Sequence, residues 1–188
     1  SQMKSNLARI VGNVGFNYTI IQKLKFDYKI GGDFYNDERT RIVPGPRYAG
    51  DPTTFDMAIA NGGFMVEERV TFSNITSNAL LTWQDKINSD IDYTLLAGTN
   101  IEVTHSDIVN TRGERFALPG FFDLSNTTTL YSFRSTSNRK YGGIFGSAKF
   151  GYKNVVYLEV TGRNDWSSTL PTANNSFFYP SASLSYIF

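Results

Sequence analysis

The final stretch of the chain constrains the fold more than any other. Phe178, Pro180, Ala182, Leu184, Tyr186 and Phe188 share one parity, and Ser181, Ser183 and Ser185 share the other. Successive side chains of an extended strand point to opposite faces. Such a strand therefore carries an aromatic and aliphatic face and a row of hydroxyls, the division a strand between lipid and water requires. A half-buried strand of a soluble sandwich alternates as well. The recurrence of the pattern, and what each face carries, decide between them.

Seven segments repeat the period of two. The first runs from Arg9 to Ile20 and sets Ile10, Val14, Phe16 and Tyr18 against Val11, Asn13, Asn17 and Thr19. In the second, Leu24, Phe26, Tyr28 and Ile30 alternate with Lys25, Asp27 and Lys29. The third spans Val66 to Trp83 and loses phase near Asn74, where a β-bulge is expected. The fourth puts Ile91, Tyr93, Leu95, Ile101 and Val103 opposite Asp92, Thr94 and Glu102. The fifth puts Ile144, Ala148, Phe150 and Tyr152 opposite Ser147 and Lys149, and in the sixth Val156, Leu158 and Val160 oppose Tyr157, Glu159, Thr161 and Arg163. The terminal strand is the seventh.

The connections alternate in length. Those around Ile21–Lys23, Asp85–Ser89 and Lys153–Asn154 are short, while Asn36–Phe64, His105–Arg139 and Asp165–Asn175 are long. Transmembrane barrels place short turns on one side of the membrane and long loops on the other. The two faces also differ in kind. Lys25, Asp27, Lys29, Asp33, Arg69, Asp92, Glu102, Lys149, Glu159 and Arg163 all fall on the polar parity, and Glu68, near a rim, is the exception on the apolar one. A charge facing lipid at the midplane costs about 2–4 kcal/mol, so a membrane barrel sorts its charges in this way. The fold class expected is all-β: an antiparallel up-and-down transmembrane β-barrel segment. Seven is odd, whereas bacterial single-chain barrels have an even number of strands. The chain is thus expected to be about seven strands of a larger barrel, with Phe188 not the true terminus. An eighth strand hidden between His105 and Arg139 would alter that count.

Composition removes other classes. The chain has 188 residues with 18 Lys+Arg against 17 Asp+Glu, so no electrostatic case for nucleic acid exists. It has no cysteine, which excludes a disulfide framework or a thiolate metal site. His105 is the only histidine, which excludes a catalytic triad and a multi-histidine metal centre. No enzymatic activity, cofactor or metal is expected. Ser1-Gln2-Met3-Lys4 is no signal peptide, so any export signal is expected outside these residues.

More specific residues follow. Gly162-Arg163-Asn164-Asp165-Trp166-Ser167-Ser168-Thr169-Leu170-Pro171, then Phe177-Phe178-Tyr179-Pro180-Ser181 and Ser183-Leu184-Ser185, resemble the signature of SusC/RagA-type TonB-dependent outer-membrane proteins of Bacteroidetes. Pro119-Gly120-Phe121-Phe122-Asp123-Leu124-Ser125-Asn126, Arg139-Lys140 and Asp90-Ile91-Asp92-Tyr93 with Leu96-Ala97-Gly98 support it. The resemblance covers most of the chain and is strongest over its last fifty residues. It implies that residues 1–188 belong to the C-terminal half of a 22-stranded barrel, without the plug domain, TonB box or signal peptide. It also implies a SusD-like surface lipoprotein and the TonB complex as partners, outer-membrane lipid around the barrel, and an oligosaccharide or peptide as cargo.

The residues expected to line a lumen are Lys25, Asp27, Lys29, Asp92, Lys149, Glu159, Arg163 and Ser183. Tyr48, Phe121 and Trp166, read as loop residues, are candidate ligand contacts, with Trp166 better placed in an interfacial aromatic girdle. Asp33, Asp37, Asp51 and Asp56 lack calcium-loop spacing and read as solvated loop acids. Gly31-Gly32 and Gly142-Gly143 precede no helix and read as sites of strand curvature. Arg163 and Asp165 read as a structural ion pair. The alternative reading is a soluble or surface β-sandwich that binds glycans through its loops; it would pack Leu158 and Leu184 between two sheets.

Overall fold

Alternating segments of this length can pair only edge to edge, and short turns make each pair antiparallel. A computed structural model describes residues 2–46 and 62–188 of the chain. Its seven strands are β1 (Gln2–Ile21), β2 (Leu24–Pro44), β3 (Gly63–Lys86), β4 (Ile91–Phe116), β5 (Thr127–Tyr152), β6 (Val156–Ser167) and β7 (Ser176–Tyr186). They form one antiparallel up-and-down sheet in chain order, so β1 and β7 are edges paired on one side only. Number, order and turn positions match the sequence reading. The alternative of a β-sandwich is overturned. Among the described residues there is one sheet, and Leu158 and Leu184 are 42% and 73% exposed rather than packed against a second layer.

The strands outrun their expected limits. Residues 36–44, 105–116, 127–139 and 165–167, expected in long loops, are strand, so the connections shrink to 45–62, 117–126 and 168–175. The segment from His105 to Arg139 lengthens β4 and β5 and holds no eighth strand. These extensions mix Thr, Ser, Arg and Asp on both parities, so no hydrophobic period announces them. The bulge expected at Asn74 is also absent. Arg69 meets Glu38, Thr71 meets Asn36 and Ser77 meets Tyr28, so odd residues of β3 face even residues of β2 on both sides of Asn74. What changes there is the apolar parity, from Val66, Val70 and Phe72 to Ile75, Leu81 and Trp83.

The chain divides into two units. The first comprises residues 1–10, 34–73 and 105–137, and the second 11–33, 74–104 and 138–188. The buried apolar side chains among the described residues are Val43, Phe64, Met65 and Val70, all in the first unit. The second unit buries none, yet exposes Val14, Phe16, Leu158, Val160 and Leu184. Soluble monomers rarely expose so continuous an apolar surface.

Turn chemistry secures the hairpins. Between β5 and β6, Lys153 and Asn154 have φ of 50° and 57°, and Val155 N–H donates to Tyr152 C=O at 3.0 Å. Positive φ at both central positions defines the I′ turn, whose twist suits a hairpin. Between β3 and β4, the Asn88 side chain accepts the N–H groups of Asp90 and Ile91, each at 2.9 Å. The β4–β5 tip is built around Asn126, which is buried. Its amide accepts from Leu118 N–H (3.0 Å) and donates to Leu118 C=O (2.9 Å) and Phe121 C=O (2.6 Å). Asp123 caps the single turn Leu124–Asn126 through Ser125 N–H and its hydroxyl. Replacing Asn126 with Leu strands these three groups, each costing about 1–3 kcal/mol if buried and unmet. Asn126→Leu is expected to open the tip to limited proteolysis within residues 117–126 while leaving the β5–β6 hairpin protected.

Candidate functional site

Register assigns the faces of the second unit. Phe150 lies opposite Leu158, and Leu158 opposite Leu184; Lys149 lies opposite Glu159, and Glu159 opposite Ser183. Directly paired residues of antiparallel strands share a face. One face therefore carries Ile144, Ala148, Phe150, Leu158, Val160, Ala182 and Leu184, and the other carries Ser147, Lys149, Glu159, Thr161, Arg163, Ser181 and Ser183. The apolar face runs between two aromatic borders. At the turn end stand Tyr152 and Tyr186, level with Val156, together with the Trp83–Tyr93 pair (indole N–H to hydroxyl, 3.2 Å) and Tyr93 against Phe150. At the other end stand Trp166 and Phe178. Ten residues of β6 separate Val156 from Trp166, about 33 Å along a strand. A strand tilted by about 45° would span about 23 Å of membrane normal, close to the height of about 25 Å of a barrel's apolar band.

The polar face of this unit is knitted by side chains. Arg163 Nε donates to Asp165 Oδ2 at 3.0 Å and Nη2 to the Tyr141 hydroxyl at 3.1 Å, with the guanidinium above the Phe145 ring. This is the structural ion pair expected. Gly143 lies opposite Asp165, and a Cβ there would collide with both the carboxylate and the guanidinium. That glycine leaves the room the pair occupies. Gly151 likewise leaves room for the Asp92 carboxylate, and Gly31 for Thr76 and Asn13. Arg139 donates to Glu102 at 2.9 Å, and Asn74 to Glu102 at 3.2 Å. Lys149 lies over the Tyr157 ring. Lys29 packs beside Gly15, and Lys25 and Asp27 share its parity on β2. Thus Lys149, Glu159, Arg163 and Ser183 share one face by register.

The loop candidates do not assemble into a site. Tyr48 lies outside the described residues, as do Asp51 and Asp56. Trp166, expected in a loop, belongs to β6 and stands on the apolar face, with Asn164 and Phe178. Phe121 is at the β4–β5 tip, its carbonyl held by Asn126 and its ring 53% exposed. Asp33 and Asp37, expected as solvated loop acids, are in β2. Asp37 is 5% exposed and sits in an ion network of the first unit. Arg39 pairs with it at 2.6 Å and reaches Glu68 at 3.3 Å; Ser5 donates to it at 2.9 Å, and Asn110 donates to Glu68 at 3.2 Å. Hydrogen bonding by Arg39 holds the Asp37 carboxyl below its ordinary value, against the opposing effect of burial and with help from Ser5. Asp107 is lowered likewise, by Arg134 and then Thr136. This ladder was missed because Glu68 lies 29 residues from Arg39 and none of its members follows an apolar period. Among the described residues no group of acids and histidine is arranged to hold a metal ion, and no helix is long and apolar enough to cross a membrane.

No family model and no curated protein matches the chain. Solved structures do. The RagAB peptide transporter superposes with a TM-score of 0.82 over 96% of this chain at 19% identity. The RagAB peptide importer in its closed-closed and open-open states superposes with a TM-score of 0.83 over 97%, again at 19% identity. The chain spans 20% of the length of the transporter chains it matches. At this identity the likeness is one of fold: an up-and-down barrel segment, in agreement with the resemblance carried by the sequence motifs.

Two outcomes follow from these networks. Gly143→Val should displace Arg163 from Asp165 and lower the temperature at which the β5–β6 region loses protection, whereas Gly142→Ser, where a Cβ meets nothing within 4 Å, should not. Because the Asp37 carboxyl is lowered in the folded chain, its contribution is complete above the ordinary value of 3.8 and is lost as pH falls through the lower folded value. Hydrogen exchange of residues 34–44 should therefore quicken only below about pH 3.8, and Asp37→Asn should remove that acid step.

Proposed function

We propose that the chain is part of the wall of a SusC-like, TonB-dependent importer in the bacterial outer membrane, and that it is not an enzyme. One observation carries this reading. The second unit is a sheet without an apolar core, and its exposed apolar face has the height of a lipid band and aromatic borders at both ends. On this reading that face meets outer-membrane lipid. Lys25, Asp27, Lys29, Asp92, Lys149, Glu159, Arg163 and Ser183 line the aqueous lumen and keep it hydrated. A SusD-like lipoprotein would be the importer's partner at the cell surface. The open edges at β1 and β7 pair with further strands of the intact barrel, since each unmet backbone group in hydrocarbon costs several kcal/mol. Force from the TonB complex acts on a plug outside these residues. The cargo is a peptide or an oligosaccharide, and the RagAB neighbours, which are peptide transporters, favour peptide.

The facing is tested in the full-length protein. Leu158→Arg places a charge in the band at about 2–4 kcal/mol and is expected to abolish the heat-modifiable, folded form in outer-membrane fractions. Ser183→Arg, on the opposite face beside Glu159, is expected to insert normally. Equal behaviour of the two variants would overturn the assignment.

A further inference from the structure

The first unit holds an arrangement of cations and rings that no loop motif announces. Phe64 of β3 is buried between strands that each send a guanidinium to it: Arg41 Cζ from β2 at 5.5 Å from the ring centroid, and Arg112 Cζ from β4 at 4.2 Å. The acids nearby are already engaged, Asp37 and Glu68 by Arg39 and Glu114 by Arg112 Nε at 2.8 Å. Arg41 meets no carboxylate among the described residues. Among the described residues, two guanidiniums thus share one ring and one carboxylate, and the Arg41 fork meets no acid.

Exposed aromatic area adjoins it. The hydroxyls of Thr111 and Ser132 meet at 3.1 Å on one face. Side chains alternate along each strand, so Tyr131 and Phe133 stand on the opposite face, the one that Asn110 and Arg112 share. Both rings are more than half exposed, at 57% and 59%. The even positions of β4 that carry Arg112 are also those that carry Asp92, and Arg41 shares the β2 parity of Lys25 and Asp27.

We propose that this surface binds the C-terminal carboxylate of an extended peptide. Arg41 and Arg112 take the carboxylate, and Tyr131 and Phe133 take the side chains beside it. The planar guanidinium fork matches a carboxylate in two parallel hydrogen bonds, and the Phe64 ring orients both forks without neutralising them. The inference rests on the import reading above and narrows its cargo to peptides with a free acid end.

The test uses the full-length protein in detergent and one synthetic peptide pool, made as free acids and again as C-terminal amides, with binding read by calorimetry. The unaltered protein is expected to bind the acids about tenfold more tightly, the size of one charged hydrogen bond. Arg41→Gln with Arg112→Gln should bind both pools alike. Arg41→Gln alone, which spares the Arg112–Glu114 pair, should lose most of the preference, and Phe133→Ala should weaken both pools by a similar factor. Heat-modifiable migration verifies the fold of each variant. Equal binding of acids and amides by the unaltered protein, or a preference that survives in the double variant, would overturn the inference while leaving peptide import standing. Retention of a uronic acid oligosaccharide with no peptide binding would overturn it and shift the cargo to saccharide; failure of the Leu158→Arg test bears on the import reading instead.

Discussion

Where a single-layer sheet buries no apolar side chain, as in the second unit, each side chain answers to the medium against its own face. In the second unit this is visible in the register. Leu158 and its partners Phe150 and Leu184 form one row, Glu159 and its partners Lys149 and Ser183 the next, and the two rows point apart. A one-residue slip would exchange every member of both rows. The I′ turn at Lys153–Asn154, which locks the β5–β6 register, is for this reason as consequential as any side-chain contact.

The polar face cannot rely on burial, and its order comes from pairing instead. Arg163 is held by Asp165, Tyr141 and the Phe145 ring at once, and the absence of a Cβ at Gly143 leaves the space for this. In the first unit, Asp37, Arg39, Glu68 and Asn110 link β2, β3 and β4 across the strands, and Asn126 ties off the β4–β5 tip. Exposed ion pairs contribute little singly. A ladder around a carboxylate as buried as Asp37 does more, because its members share desolvation and fix each other's rotamers.

Strand number, chain order, turn positions and, from β5 to β7, the sorting of faces were legible because apolar and polar residues alternate there. By contrast Arg69 and Glu68, read on the polar and the apolar parity, meet Glu38 and Arg39 on the opposite ones. Lys149 and Glu159 could be assigned a common face from parity alone, and Trp166 a place in an aromatic border. Strand extent was not legible. Beyond residue 36 in β2, 105 in β4 and before 139 in β5 both parities are polar, and a period needs contrast to be seen. The same blindness turned a change of apolar face in β3 into an expected bulge at Asn74, and Asp37 into an expected loop acid.

The sequence by itself determined which side chains share a face, because alternation is a property of the extended backbone and needs no partner strand. It also determined that the chain forms strands joined by alternating short and long connections. Only the tertiary structure decided which strand neighbours which residue by residue, how far each hairpin extends, and that the seven strands stay in one layer. Those depend on register and on contacts between residues distant in sequence, such as Arg39 with Glu68 and Phe64 with Arg41 and Arg112. Such contacts arise when long strands pair, and no local pattern encodes them.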